Sequence, residues 1–169
     1  MEDFFNFIIL MGPKVPPCDD LIRISVKFML LNVSYNNKEI TKKLDEAVGR
    51  PFTLRERLAL DGIGSPKLFI VDSSIEIKNL LILDNNTNTC TIELRPKGII
   101  IRFRSLLETF GLVVPYYKFT LYKTDFGLYT IYRDQYFVKI KSDTKAVQKF
   151  FTKLLGHRAD NAPTNIEDI

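Results

Sequence analysis

TCTIELRPKGIIIRFR, residues 89–104, reads as two strands around a turn. Two runs of β-branched and apolar residues flank the cluster Pro96-Lys97-Gly98, which predicts a hairpin of antiparallel strands. In the second run Ile99, Ile101 and Phe103 alternate with Ile100, Arg102 and Arg104. A period of two sends successive side chains to opposite faces, so one face is expected to be dry and the other basic.

The same texture recurs on both sides of this hairpin. KLFIVD (67–72), SIEIKNLLIL (74–83), VPYYKFTLYK (114–123), GLYTIYR (127–133) and QYFVKIK (135–141) also read as strands, separated by turn clusters such as DNNTN (84–88) and TDFG (124–127). Such short spacing leaves no room for parallel crossovers and predicts an antiparallel meander of about seven strands, long enough to curl. Alternation assigns Tyr117, Phe119 and Leu121 inward against Tyr116, Lys118, Thr120 and Tyr122, and Tyr136, Val138 and Ile140 inward against Phe137, Lys139 and Lys141.

SDTKAVQKFFTKLLG (142–156) changes period. Ala146, Val147, Phe150, Phe151, Leu154 and Leu155 form one stripe of a helix and Lys145, Lys149 and Lys153 the other, with Ser142 or Asp143 as N-cap and Gly156 as the stop. Burying four large apolar side chains at about 1.5–3 kcal/mol each would make this helix a lid on the sheet.

DGIGSPK (61–67) marks a boundary. Before it, FFNFIILM (4–11) and LIRISVKF (21–28) read as strands. KEITKKLDEAVG places Ile40, Leu44, Ala47 and Val48 on one helix face, capped by Asn37 and closed by Gly49. Thr53 and Glu56 make a capping box for a second short helix ending at Gly62. The connection between these helices is too long for a standard helix-turn-helix, so Arg55 and Arg57 are expected to serve packing rather than DNA reading. The organisation is thus an N-terminal strand and two-helix segment over 1–64, a sheet with its helix over 65–158, and a flexible acidic tail over 159–169.

The fold class is α+β: a curled antiparallel sheet or barrel capped by a C-terminal amphipathic helix, preceded by a small N-terminal α+β segment. A hydrophobic fraction of 46% with 12% aromatics supports a packed core. The net charge of +4 is uneven: residues 1–64 net zero, residues 65–158 net +7, and the tail carries three acids. A basic second half is compatible with an anionic partner. Cys18 and Cys90 lie far apart without metal-ligand spacing, so two free thiols and no metal or other cofactor are expected. MEDFFNFIILM opens on acids and its apolar run is short, which argues for a cytoplasmic protein, peripheral to a membrane if lipid is its partner.

RPKGIIIRFR, VVPYYKFTLYK and YFVKIK running into TKAVQKFFTKLL resemble, in order and texture, a bacterial pleckstrin-homology-like domain over roughly residues 66–156. The resemblance implies a noncatalytic scaffold for lipid headgroups, peptides or partner proteins. Members that hold phosphoinositides carry a basic cluster on the first two strands, whereas KLFIVDSSIEIK has only Lys67 and Lys78, with Asp72 in the turn.

No HExxH, GxSxG or phosphate-loop pattern occurs, and the single histidine, His157, stands near the end of the last helix without an acid or nucleophile beside it in sequence. The expected function is a noncatalytic binding module, not an enzyme. Its candidate site is the basic and aromatic sheet face: Arg102, Arg104, Tyr116, Lys118, Tyr122, Lys139 and Lys141. A protein partner is the first expectation and an anionic membrane the second. Single-stranded nucleic acid is the alternative, because aromatics beside Lys and Arg can stack bases and neutralise phosphates. A homodimer contact through Ile100 and Phe137 is the remaining one.

Overall fold

The computed structural model describes residues 30–35, 37–83, 88–124, 127–141 and 144–161; the N-terminal runs 4–11 and 21–28 and the tail from 162 lie outside them. In chain order the elements are β1 (Leu30–Asn32), α1 (Lys38–Val48), α2 (Leu54–Ala59), β2 (Leu68–Ser73), α3 (Ile75–Ile82), β3 (Thr89–Arg95), β4 (Gly98–Ser105), β5 (Glu108–Pro115), β6 (Phe119–Lys123), β7 (Leu128–Arg133), β8 (Tyr136–Lys141) and α4 (Lys145–Asp160). The strands form one eight-stranded antiparallel sheet in the order β1-β5-β4-β3-β2-β8-β7-β6. The sheet is not closed; β1 and β6 are its edges. Together with the C-terminal helix it is compatible with a pleckstrin-homology-like fold.

The hairpin read from residues 89–104 is present, with Thr91 opposite Arg102, Ile92 opposite Ile101 and Glu93 opposite Ile100. Its dry face is as expected. Ile92, Leu94, Ile99, Ile101 and Phe103 enter one core with Val147, Phe150, Phe151 and Leu154 of α4. The Phe151 ring stacks on Tyr129 at 4.0 Å between centroids, which fixes α4 over β7.

Three local expectations are corrected. SIEIKNLLIL is not a strand but helix α3. Its first residues alternate, yet Ile77 and Leu81 are four apart and both buried, and the Leu80 carbonyl accepts a 2.6 Å bond from Ser105 Oγ. A helix here covers the end of the core, which a strand with two-sided exposure could not do.

VPYYKFTLYK is not one strand either. Val114 and Pro115 end β5, a strand the sequence reading missed, and Tyr116–Lys118 form a short 3₁₀ turn before β6. Proline fixes its own φ, here −63°, and cannot donate to a ladder, so β5 stops there. Gly111 interrupts the apolar pattern of β5, and a Cβ there would stand 3.3 Å from Ile100 Cγ2, so the small residue admits close packing. Finally, α4 does not stop at Gly156 but runs on to Asp160, with Thr144 as its N-cap; Ser142 and Asp143 lie outside the described residues.

α1 forms as its caps predict: Asn37 Oδ1 accepts from the Glu39 N–H at 2.8 Å, and Gly49 follows the last turn at φ 85°. Its apolar stripe, however, lands on the outer face of the sheet. Leu44 and Val48 pack on Ile100 and Val113 in a second core, bordered by Leu31, Val33, Ile40 and Ala47. Gly98 makes this approach fit, since a Cβ there would stand 2.6 Å from Val48 Cγ1 and 2.5 Å from the Val114 carbonyl oxygen. The molecule therefore has α4 on one side of the sheet and α1 on the other. α2 carries the expected capping box but no buried residue, and exposes Leu54 and Leu58.

Candidate binding face

The outer face divides at its middle. Over β1, β5 and β4 it is roofed by α1, so Ile100 is fully buried rather than available to a dimer contact. Over β2, β8, β7 and β6 no described element covers it. Register places Phe69, Lys141 and Leu128 in one row, Asp72, Lys139, Thr130 and Tyr122 in the next, and Phe137, Tyr132 and Thr120 in a third.

Aromatic side chains dominate this open half. Tyr122 and Tyr132 meet edge to face at 5.5 Å, and Tyr132 leans on Phe137 at 5.7 Å. Phe69, Tyr122 and Tyr132 are exposed, and so is Val71, pushed out where the β2–β8 register shifts between Ile70 and Asp72. Lys139, half-buried, and Lys141, exposed, add positive charge beside the rings. Exposed apolar and aromatic side chains thus stand beside charged ones on this half of the sheet.

The residues expected to form one site are thereby separated. Tyr122, Lys139 and Lys141 do share the open half. Arg102 and Arg104 stand on β4, three strand spacings or about 14 Å from β8. Arg102 Nη2 pairs with Glu93 Oε2 at 2.7 Å, and Arg104 Nε donates to the Leu106 carbonyl at 2.9 Å. Lys118 Nζ is paired with Asp134 Oδ2 at 2.9 Å. Tyr116 is buried while Tyr117 is exposed, the reverse of strand alternation, because the 3₁₀ turn after Pro115 rotates both. Phe69 and Tyr132 went unnoticed in the sequence reading, although the alternation of GLYTIYR already places Tyr132 opposite the core residues Tyr129 and Ile131.

Tyr116 belongs to a different cluster. Its hydroxyl lies 3.0 Å from His157 Nδ1, and Phe52 meets the imidazole edge to face at 5.6 Å. A hydroxyl that donates to Nδ1 requires the neutral ring protonated at Nε2. Burial raises the Tyr116 pKa well above its ordinary value, which keeps that hydroxyl a donor. The His157 pKa is lowered, first by burial; Asp160 opposes this and Lys153 adds to it.

A depressed histidine means that the unfolded chain binds the proton more readily. Stability contributed here is thus present above the unfolded value of 6.5 and declines as pH falls through it toward the folded pKa. Comparing urea midpoints between about pH 7.5 and 5.5, His157→Gln is expected to lose less stability on acidification than the parent. Parallel curves would remove His157 as the source.

Cys90 is a free, buried thiol whose pKa burial pushes up to about 12; Cys18 lies outside the described residues. Among the described residues no helix is long and apolar enough to cross a membrane, and no group of His, Cys, Asp and Glu is arranged to hold a metal ion. Comparison with known proteins finds no matching family, no similar curated protein and no similar solved structure.

Proposed function

We propose that this chain is a noncatalytic interaction module of pleckstrin-homology-like type that docks a protein partner on the open half of its outer face. The observation that carries the reading is the contiguous aromatic cluster Tyr122–Tyr132–Phe137, with Lys139 in the row of Tyr122 and Phe69 and Lys141 in the row beyond it. Large aromatics contribute contact area at low entropy cost and dominate binding energy at protein interfaces. Lys139 and Lys141 favour a partner that presents carboxylates around an apolar centre. The noncatalytic part is supported by the chemistry of Cys90, kept as a thiol, and of His157, already engaged by Tyr116.

The test is affinity capture with the parent and with Tyr122→Ala, followed by titration of the captured protein. Tyr122 is exposed, so its loss should move folding stability by no more than about 0.5 kcal/mol. Partner affinity should fall by about 30-fold, the effect of removing an aromatic anchor worth about 2 kcal/mol. Equal affinity in both proteins would move the contact elsewhere. Sedimentation with phosphatidylserine vesicles and anisotropy with single-stranded oligonucleotides run beside it; binding there that requires Tyr122 and Lys139, with no protein retained, would replace the protein reading by a lipid or nucleic-acid one.

A further inference from the structure

We propose that the pocket between residues 51–64 and the outer face of β3 and β4 binds a small phosphate-bearing anion, independently of the aromatic face. The pocket is a cavity of ≈ 450 Å³ lined by Pro51, Arg57, Gly64, Thr91, Arg95 and Arg102, with Glu93 in its wall. That volume lies in the range of small-ligand sites. It exists because residues 63–65 continue the sheet where β2 leaves β3: the Leu94 N–H donates to the Ile63 carbonyl and the Ser65 N–H to the Ile92 carbonyl, each at 2.8 Å.

The arginines are ordered but not used up. Glu93 splits its carboxylate between them, Oε1 standing 2.7 Å from Arg95 Nε and Oε2 2.7 Å from Arg102 Nη2. Asp45 of α1 is 3.7 Å from Arg95 Nη1. Arg95 is only 6% exposed; Glu93 takes its Nε, but its Nη1 has no hydrogen-bond acceptor, and Arg102 Nε has none either. Arg57 comes in from α2, its Nε held by the Phe52 carbonyl at 2.9 Å.

Three guanidinium groups thus face two carboxylates, an excess of one positive charge, with two buried donors, Arg95 Nη1 and Arg102 Nε, that lack acceptors. Buried donors are rarely left in that state, and planar arginine forks match the oxygens of a phosphate. A tetrahedral dianion can accept from several directions at once. A monocarboxylate offers fewer acceptor oxygens to these arginine forks, so the arrangement selects phosphate.

Calorimetric titration of the full chain with inorganic phosphate, at ionic strength matched by chloride, tests this. Saturable binding at about 1 mM or tighter is expected. Arg57→Gln and Arg102→Gln should each weaken it about tenfold, the loss of one charge-assisted hydrogen bond. Arg104→Gln, on the same strand but outside the pocket, should leave it unchanged. O-phosphoserine is the second probe: tighter binding than free phosphate identifies a phosphate ester as the ligand, and equal binding identifies the free ion. No saturation by about 10 mM phosphate, or equal weakening by Arg104→Gln, would overturn the proposal. Because none of these positions lies in the aromatic cluster, failure here leaves the partner reading standing, and the reverse holds for Tyr122→Ala.

Discussion

Glu93→Gln is expected to destabilise the protein by about 3 kcal/mol, the lower end of the cost of leaving a buried charge without its partner. The carboxylate is 18% exposed and is the close counter-ion of Arg95, whose side chain is 7% exposed. Glutamine keeps the shape and one acceptor oxygen but removes the charge, and Arg95 cannot escape by deprotonating. Asp45 remains at 3.7 Å, and Arg102 is 40% exposed and can turn to water, which is why the upper end is not expected. Urea unfolding of the variant measures the loss. A cost under about 1 kcal/mol would mean that this cluster behaves as an ordinary surface ion pair. If the pocket takes phosphate, added phosphate should stabilise Glu93→Gln more than the parent, since a bound anion supplies part of the missing charge.

Ile100→Ala is expected to cost about 2–5 kcal/mol, the range for emptying a buried aliphatic site. Ile100 is fully buried, but on the outer face, where its neighbours are Leu44 and Val48 of α1 and Val113 of β5. Were that face open to solvent, as strand alternation beside Arg102 and Arg104 suggests, truncation would cost no more than about 0.5 kcal/mol. The two outcomes are well separated in a denaturant midpoint. Hydrogen exchange sharpens the result: amides of residues 38–48 should lose protection first, while those of α4, packed on the opposite side, should follow only global unfolding.

Much of the chain is legible without its fold. The hairpin of residues 89–104, the strands of 128–133 and 136–141, and the caps of α1 and α2 each rest on a period or a capping residue, and these are local properties. The same reasoning fails where two local signals compete. In SIEIKNLLIL an alternating start hides the i, i+4 pair Ile77 and Leu81, and burial against the sheet end selects the helix. At Pro115 a strand end and a turn read as continuous alternation, which reverses Tyr116 and Tyr117.

The candidate site was legible only in fragments. Tyr122, Lys139 and Lys141 follow from parity because outward residues on neighbouring strands stay outward. That Arg102 turns to Glu93, and that its half of the sheet lies under α1, depends on which strands become neighbours and which helix finds which face. By itself the sequence determined where most strands and helices form and which side of most strands is apolar, since side-chain spacing and caps act within a few residues. Only the tertiary structure decided which outer surface the described elements cover, because an apolar face such as that of Ile100 and Val113 is equally satisfied by solvent exclusion from any source, and long-range packing of α1 is what supplies it here.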